Sequence, residues 1–151
     1  MKIQEVLRID HSKVKNIPVD QFQRPFYGDN YQNTWKGPHS GKEITLLINK
    51  IKPAAILQPN FLKNPELFEL IKNGELKIFP FIHPNLPPNH KMVFVTQQGE
   101  EWRGNQLLKI YKSVYDQGED RSISKKDHIK IGLLLGYSKE DIKKFIDSLN
   151  L

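Results

Sequence analysis

The chain has 151 residues, of which 38% are hydrophobic and 26% charged, and carries a net charge of +6. That length suits one domain with a real core and is too short for two, and the absence of cysteine excludes disulfides and thiolate metal sites. There is no apolar run of about 18 residues, and Met1 to Asp10 lacks the basic start and apolar centre of a secretory signal, so the expectation is a cytoplasmic protein with no membrane partner. The excess of positive charge favours an anionic partner such as nucleic acid or a nucleotide, and equally serves solubility.

Lys2 to Ile9 alternates weakly, as an edge strand or a short helix would. From Asn16 to Gly41 there is no period, and prolines at 18, 25 and 38 with glycines at 28, 37 and 41 mark an extended segment. Phe22, Phe26, Tyr27, Tyr31 and Trp35 are aromatics that a disordered tail ordinarily lacks, so residues 1–42 read as an aromatic-rich arm packed on a core of residues 43–151, all in one domain. Glu43 to Ile51 reads as a strand stopped by Lys52 and Pro53, with a helix over Lys42 to Lys50 as the alternative.

Ala54 to Leu57 is a short apolar run, after which Asn64-Pro65-Glu66 opens a helix that Asn73-Gly74 closes. Glu75 to Ile82 is a strand, which Pro80 makes an edge or in which it places a bulge. Beyond the Pro-rich loop His83 to Asn89, Met92 to Thr96 suits a buried strand, and Glu100 to Tyr115 a helix with Leu107, Leu108, Tyr111 and Tyr115 inward. The sum is an α+β domain, a small mixed sheet covered by three or four helices and ending in a helical hairpin.

That hairpin is the clearest stretch. Ser124 caps a helix running through Leu135, Gly136 supplies a left-handed end, and Ser138 caps a second helix with Asp141 in the Ser-x-x-acidic position. Ile142, Phe145, Ile146 and Leu149 form the buried stripe of the second helix, leaving Lys139, Lys143 and Lys144 outside. Gly132 shares a helix face with His128 and Leu135, where a glycine costs about 1 kcal/mol of helix stability and therefore has a packing reason. Gly132, Gly136 and Ile142 also fit the spacing of a DNA-binding helix-turn-helix, in which Lys139, Lys143 and Lys144 would face the groove; any tight hairpin with a glycine cap reproduces much of this pattern.

The run His128-Ile-Lys-Ile-Gly132-Leu-Leu-Leu-Gly136-Tyr137, followed by Asp141-Ile142 and Phe145-Ile146, resembles the closing segment of an uncharacterised family of bacterial proteins ending in His-x-Ile-Gly-x-x-Leu-Gly-Tyr. Ile51 to Ala54 and Met92 to Val95 are placed like that family's corresponding pieces, so the resemblance covers about residues 51 to 146. Ser138 stands where the family often has proline. The family has no assigned activity, and the resemblance implies a fold.

Residues 24 to 42 are the candidate ligand site, with Arg24, Lys36 and Lys42 to hold negative charge, Tyr27, Tyr31 and Trp35 to stack on a ring, and His39 beside them. The alternative is that the aromatics only fasten the arm. Gly37 to Lys42 fails the spacing of a phosphate-binding loop. The histidines at 11, 39, 83, 90 and 128 show no metal-ligand spacing, so neither a metal nor a cofactor is expected. Three functions follow: a binding protein for a nucleic acid, nucleotide or other phosphorylated ligand; a small transferase or hydrolase on such a substrate, with His39 or His128 as acid/base; or a protein-interaction regulator using the loop His83 to His90.

Overall fold

The computed structural model describes residues 43–87 and 91–149. The helices are α1 (Glu43–Ile48), α2 (Pro65–Lys72), α3 (Glu101–Tyr115), α4 (Lys125–Leu134) and α5 (Lys139–Ser148), with strands β1 (Ala54–Leu57), β2 (Leu76–Phe81) and β3 (Met92–Gln97). A 3-10 turn, Pro59–Lys63, precedes α2.

The sheet order is β1-β3-β2, and β3 pairs antiparallel with both neighbours, Ile56 opposite Phe94 on one side and Phe79 opposite Phe94 on the other. The α+β class is as expected, but the pairing is antiparallel throughout rather than mixed. The loop between β2 and β3 is shorter than the dozen or more residues a parallel crossover needs, so β3 must turn back on β2. Pro80 sits on an outer strand, where its missing N–H leaves no ladder bond unmade.

Central β3 is buried on both faces, which is why it reads as a continuous apolar run rather than an alternation. One face packs Ala55, Ile78, Val93 and Val95 against α1 and α2. The other packs Phe79, Phe81 and Phe94 against Trp102, Leu107 and the buried side of α4 and α5. Gly104 on α3 lies against the Phe79 ring, so closely that a Cβ there would stand 2.4 Å from Cδ1. The ring and the helix axis are thus fixed at contact distance.

Two expectations change. Glu43 to Ile48 is helical, not a strand: Leu46 and Leu47 are both buried, which adjacent positions on a half-exposed strand cannot be, and the helix is closed by Lys50 in the left-handed region at φ 59°. Its Lys50 N–H donates to the Leu47 carbonyl and Ile51 N–H to that of Leu46. On α5, Ile142 and Ile146 are buried, but Phe145 keeps 42% and Leu149 38% of their surface exposed. Among the described elements α5 packs mainly on α4, and one neighbouring helix covers a narrower stripe than the sequence spacing offers.

Candidate functional site

The C-terminal hairpin is built from local signals that the sequence carries openly. Ser124 Oγ accepts from Asp127 N–H at 3.1 Å and Ser138 Oγ from Asp141 N–H at 3.1 Å, each satisfying one orphan donor of a helix start. Between them Gly136 stands at φ 87°, and the Tyr137 and Gly136 N–H groups donate to the Gly132 and Leu133 carbonyls at 3.0 and 3.1 Å. This is the paired bonding of a glycine-closed helix end. It reverses the chain within a few residues and brings α5 onto α4 at Gly132. A Cβ at Gly132 would lie 2.7 Å from Ile142 Cγ1, which is the packing reason for a glycine in mid-helix.

The outer face of the hairpin is polar. Lys139, Lys143 and Lys144 are exposed on α5, as the helical spacing requires, and Lys125 and Lys126 are exposed at the start of α4. Lys144 pairs with Glu140 at 3.5 Å, both partly in water, a contact worth at most about 0.5 kcal/mol.

The inner face encloses a cavity of about 290 Å³ against α3 and β1. Ile56, Ile123, Ile131, Leu135 and Ile142 make the aliphatic part of its wall, and Tyr111, His128, Tyr137 and Asp141 bring polar groups to it. Burial holds His128 below the usual histidine range, so its imidazole is neutral at pH 7; its ring meets Phe145 edge-on at 5.5 Å. Burial pushes both tyrosines up to about 12 and raises the Asp141 carboxyl, with the Ser138 hydrogen bond pulling Asp141 the other way. His128, Gly132 and Leu135, expected to share a face, all line this cavity.

Two buried basic side chains anchor the end of α4. Arg103 Nη1 donates to the Leu133 and Leu134 carbonyls at 2.8 and 3.1 Å, while its Nε donates to Glu100 Oε2 at 2.9 Å. Lys52 Nζ donates to the Leu135 carbonyl at 2.6 Å and lies over the Tyr137 ring at 4.5 Å. Positive charge is favoured at a helix C-terminus, where the last carbonyls lack intrahelical partners. In the sequence Lys52 marks only the stop after a short apolar run. Arg103 shares the inward face with Leu107 one turn on, which was a usable signal; Lys52, between Ile51 and Pro53, offered none.

His83 is also placed by contacts the sequence does not display. Its Nδ1 accepts the Asn85 N–H at 3.0 Å, so Nε2 carries the proton and donates to Asp116 Oδ1 at 2.7 Å. Lys112 donates to the other Asp116 oxygen at 2.8 Å, and hydrogen bonds from His83 and then Lys112 hold that carboxyl below its ordinary range. With both ring nitrogens engaged, His83 fastens the loop to α3 and has no lone pair left for acid/base work.

Arg24, Tyr27, Tyr31, Trp35, Lys36, His39 and Lys42 lie outside the described residues, as does the end of the Pro-rich loop from Pro88 to His90. Lys139, Lys143 and Lys144 fall together on one helix, whereas His128 lies on the opposite, cavity side. Among the described residues no group of three or more His, Asp or Glu could hold a metal ion, and no helix is long and apolar enough to cross a membrane. No family model, curated protein or solved structure compared with this chain matches it.

Proposed function

We propose that this chain is a cytoplasmic nucleic-acid-binding protein that docks on duplex DNA through α5. The observation that carries the reading is the close packing of Gly132 on Ile142 across the Gly136 turn, which holds α5 at a fixed angle with its lysine face outward. A helix presented in that way can enter a major groove about 12 Å wide. Lys139, at the N-terminal end of α5, would reach base edges, and Lys143 and Lys144, one turn on, would meet phosphates. The net charge of +6 supports attraction to a polyanion, and Arg24, Lys36 and Lys42 with Tyr27, Tyr31 and Trp35 supply a second set of contacts of the same chemistry.

The test is fluorescence anisotropy with pooled duplex DNA and single-stranded RNA over a salt series, for the wild type and Lys143→Ala/Lys144→Ala. Affinity for duplex should fall linearly on logarithmic axes as salt rises, and the double variant should reduce that slope by about 2. A flat salt response removes the reading, and so does a double variant indistinguishable from the wild type.

A further inference from the structure

The cavity behind the lysine face has the make-up of a ligand pocket, an apolar wall with a few polar groups set in it. Its volume of about 290 Å³ is close to twice the ~150 Å³ of an apolar cavity that takes up benzene, which matches a guest of two fused rings. Tyr111, Tyr137 and Phe145 line it, and each ring is held by a further contact. Tyr111 lies against Phe94 at 5.3 Å and Phe81 at 6.1 Å, Tyr137 lies under Lys52 Nζ, and Phe145 meets His128 edge-on. The wall is therefore set before a guest arrives, in surfaces that prefer an aromatic partner in offset or edge-on contact. Phe145 keeps 42% of its surface exposed, so a guest beside it covers apolar surface that the fold leaves in water.

The polar groups select among aromatic guests. Apolar surface makes most of the wall, so an ion would lose more hydration than it recovers and a neutral guest is preferred. Asp141 is already engaged by Ser138, and the Tyr111 and Tyr137 hydroxyls, pushed up to about 12 by burial, stay protonated. His128 differs, because among the described residues neither of its ring nitrogens is hydrogen-bonded. Burial keeps the imidazole neutral, so one nitrogen carries a lone pair that can accept from a guest.

We infer that this cavity is a binding site for a neutral two-ring aromatic molecule with a ring N–H or hydroxyl, its rings held among Tyr111, Tyr137 and Phe145 and its donor on the His128 imidazole. The inference does not depend on DNA binding, since the lysines of that reading lie on the opposite face of the hairpin.

The experiment is a titration of the full chain with indole, benzothiophene and pyrrole, followed by amide and side-chain NMR shifts. Benzothiophene has the shape of indole without its N–H, and pyrrole has the N–H without the second ring. Indole should bind saturably, with shifts at cavity residues such as Ile131 and Gly132. Its affinity should exceed that of benzothiophene by about threefold to tenfold, and that of pyrrole by about tenfold or more. His128→Leu should bring indole down to the affinity of benzothiophene and leave benzothiophene unweakened. Ile123→Trp, which places a ring in the cavity from its wall, should abolish binding of both while the circular dichroism spectrum and melting cooperativity are retained. Absence of saturable indole binding overturns the inference, as do shifts confined to residues away from the cavity. Equal affinity of indole and benzothiophene, or of indole and pyrrole, overturns it as well. So does a His128→Leu chain that keeps the preference for indole, or a folded Ile123→Trp that still binds.

Discussion

Lys52 Nζ and the Leu135 carbonyl oxygen stand 2.6 Å apart, joining the residue just before β1 to the end of α4, 83 positions along the chain. Arg103 meets the two preceding carbonyls from α3. The hairpin is thus held to the sheet and to α3 by two basic side chains with exposures of 2% and 3%, whose N–H groups meet the last carbonyls of α4. Its placement rests on these hydrogen bonds as well as on apolar packing.

Stability should rise with pH through the range in which Lys52 titrates. Burial lowers its pKa from 10.5 to about 7, with Glu43 opposing the shift and Arg103 adding to it. Between those two values the unfolded chain binds the proton that the folded chain has released, so the stability of the fold increases as pH rises from about 7 to about 10. The span is on the order of a few kcal/mol. Urea melts at pH 7, 8, 9 and 10 should show this rise in the wild type and a flatter profile in Lys52→Met.

Arg103→Met should destabilise the fold by about 3–5 kcal/mol, because it leaves Glu100 and the Leu133 and Leu134 carbonyls without their guanidinium in a buried setting. Arg103→Lys should recover only part of that loss, since an ammonium cannot reproduce the planar fork that reaches Glu100 and the helix end together. Chemical denaturation of the two variants decides it; equal stability of Arg103→Lys and the wild type contradicts the bridging role.

The two close-packed helix glycines should differ in their tolerance of alanine. At Gly104 the new Cβ meets the fully buried Phe79 ring at 2.4 to 2.7 Å. At Gly132 it meets the more adaptable Ile142 side chain at 2.7 to 3.7 Å. Overpacking costs about 1–3 kcal/mol and the helix gains about 1 kcal/mol from alanine, so Gly132→Ala should fall near 1 kcal/mol and Gly104→Ala above it. Thermal melts read the order directly.

Thr96 should prefer to be valine. Its Oγ1 is buried on β3 with no hydrogen-bond partner among the described residues, so an isosteric methyl group removes an unmet polar atom without opening a void. Thr96→Val should gain about 1 kcal/mol in a denaturant melt, and a loss of that size would reveal a partner for the hydroxyl.

The parts of this fold that were legible in the sequence are those set by neighbours a few residues away. Asn64, Ser124 and Ser138 cap helices, as their positions before Pro65, Asp127 and Asp141 suggested, and Gly136 closes α4. The lysine face of α5 was equally readable, since one helical period decides it. Glu43 to Ile51 was not, because a run that short fits both periods and only the joint burial of Leu46 and Leu47 decides for a helix. The roles of Lys52, Arg103 and His83 were invisible for a different reason: their partners lie 83, 30 and 33 residues away, and no local pattern encodes which carbonyl or carboxylate the fold will bring to them. The exposure of Phe145 belongs to the same class, being set by how much of α5 the rest of the chain covers.

The most direct measurement of DNA docking is a ¹⁵N-¹H NMR titration of the full chain with duplex DNA at low salt. The expected result is that the amide shifts cluster on the exposed positions of α5, Lys139, Glu140, Lys143 and Lys144, and weaken as salt is raised. Shifts that leave α5 untouched, or none at all, would contradict the proposal that this helix is the DNA-docking surface.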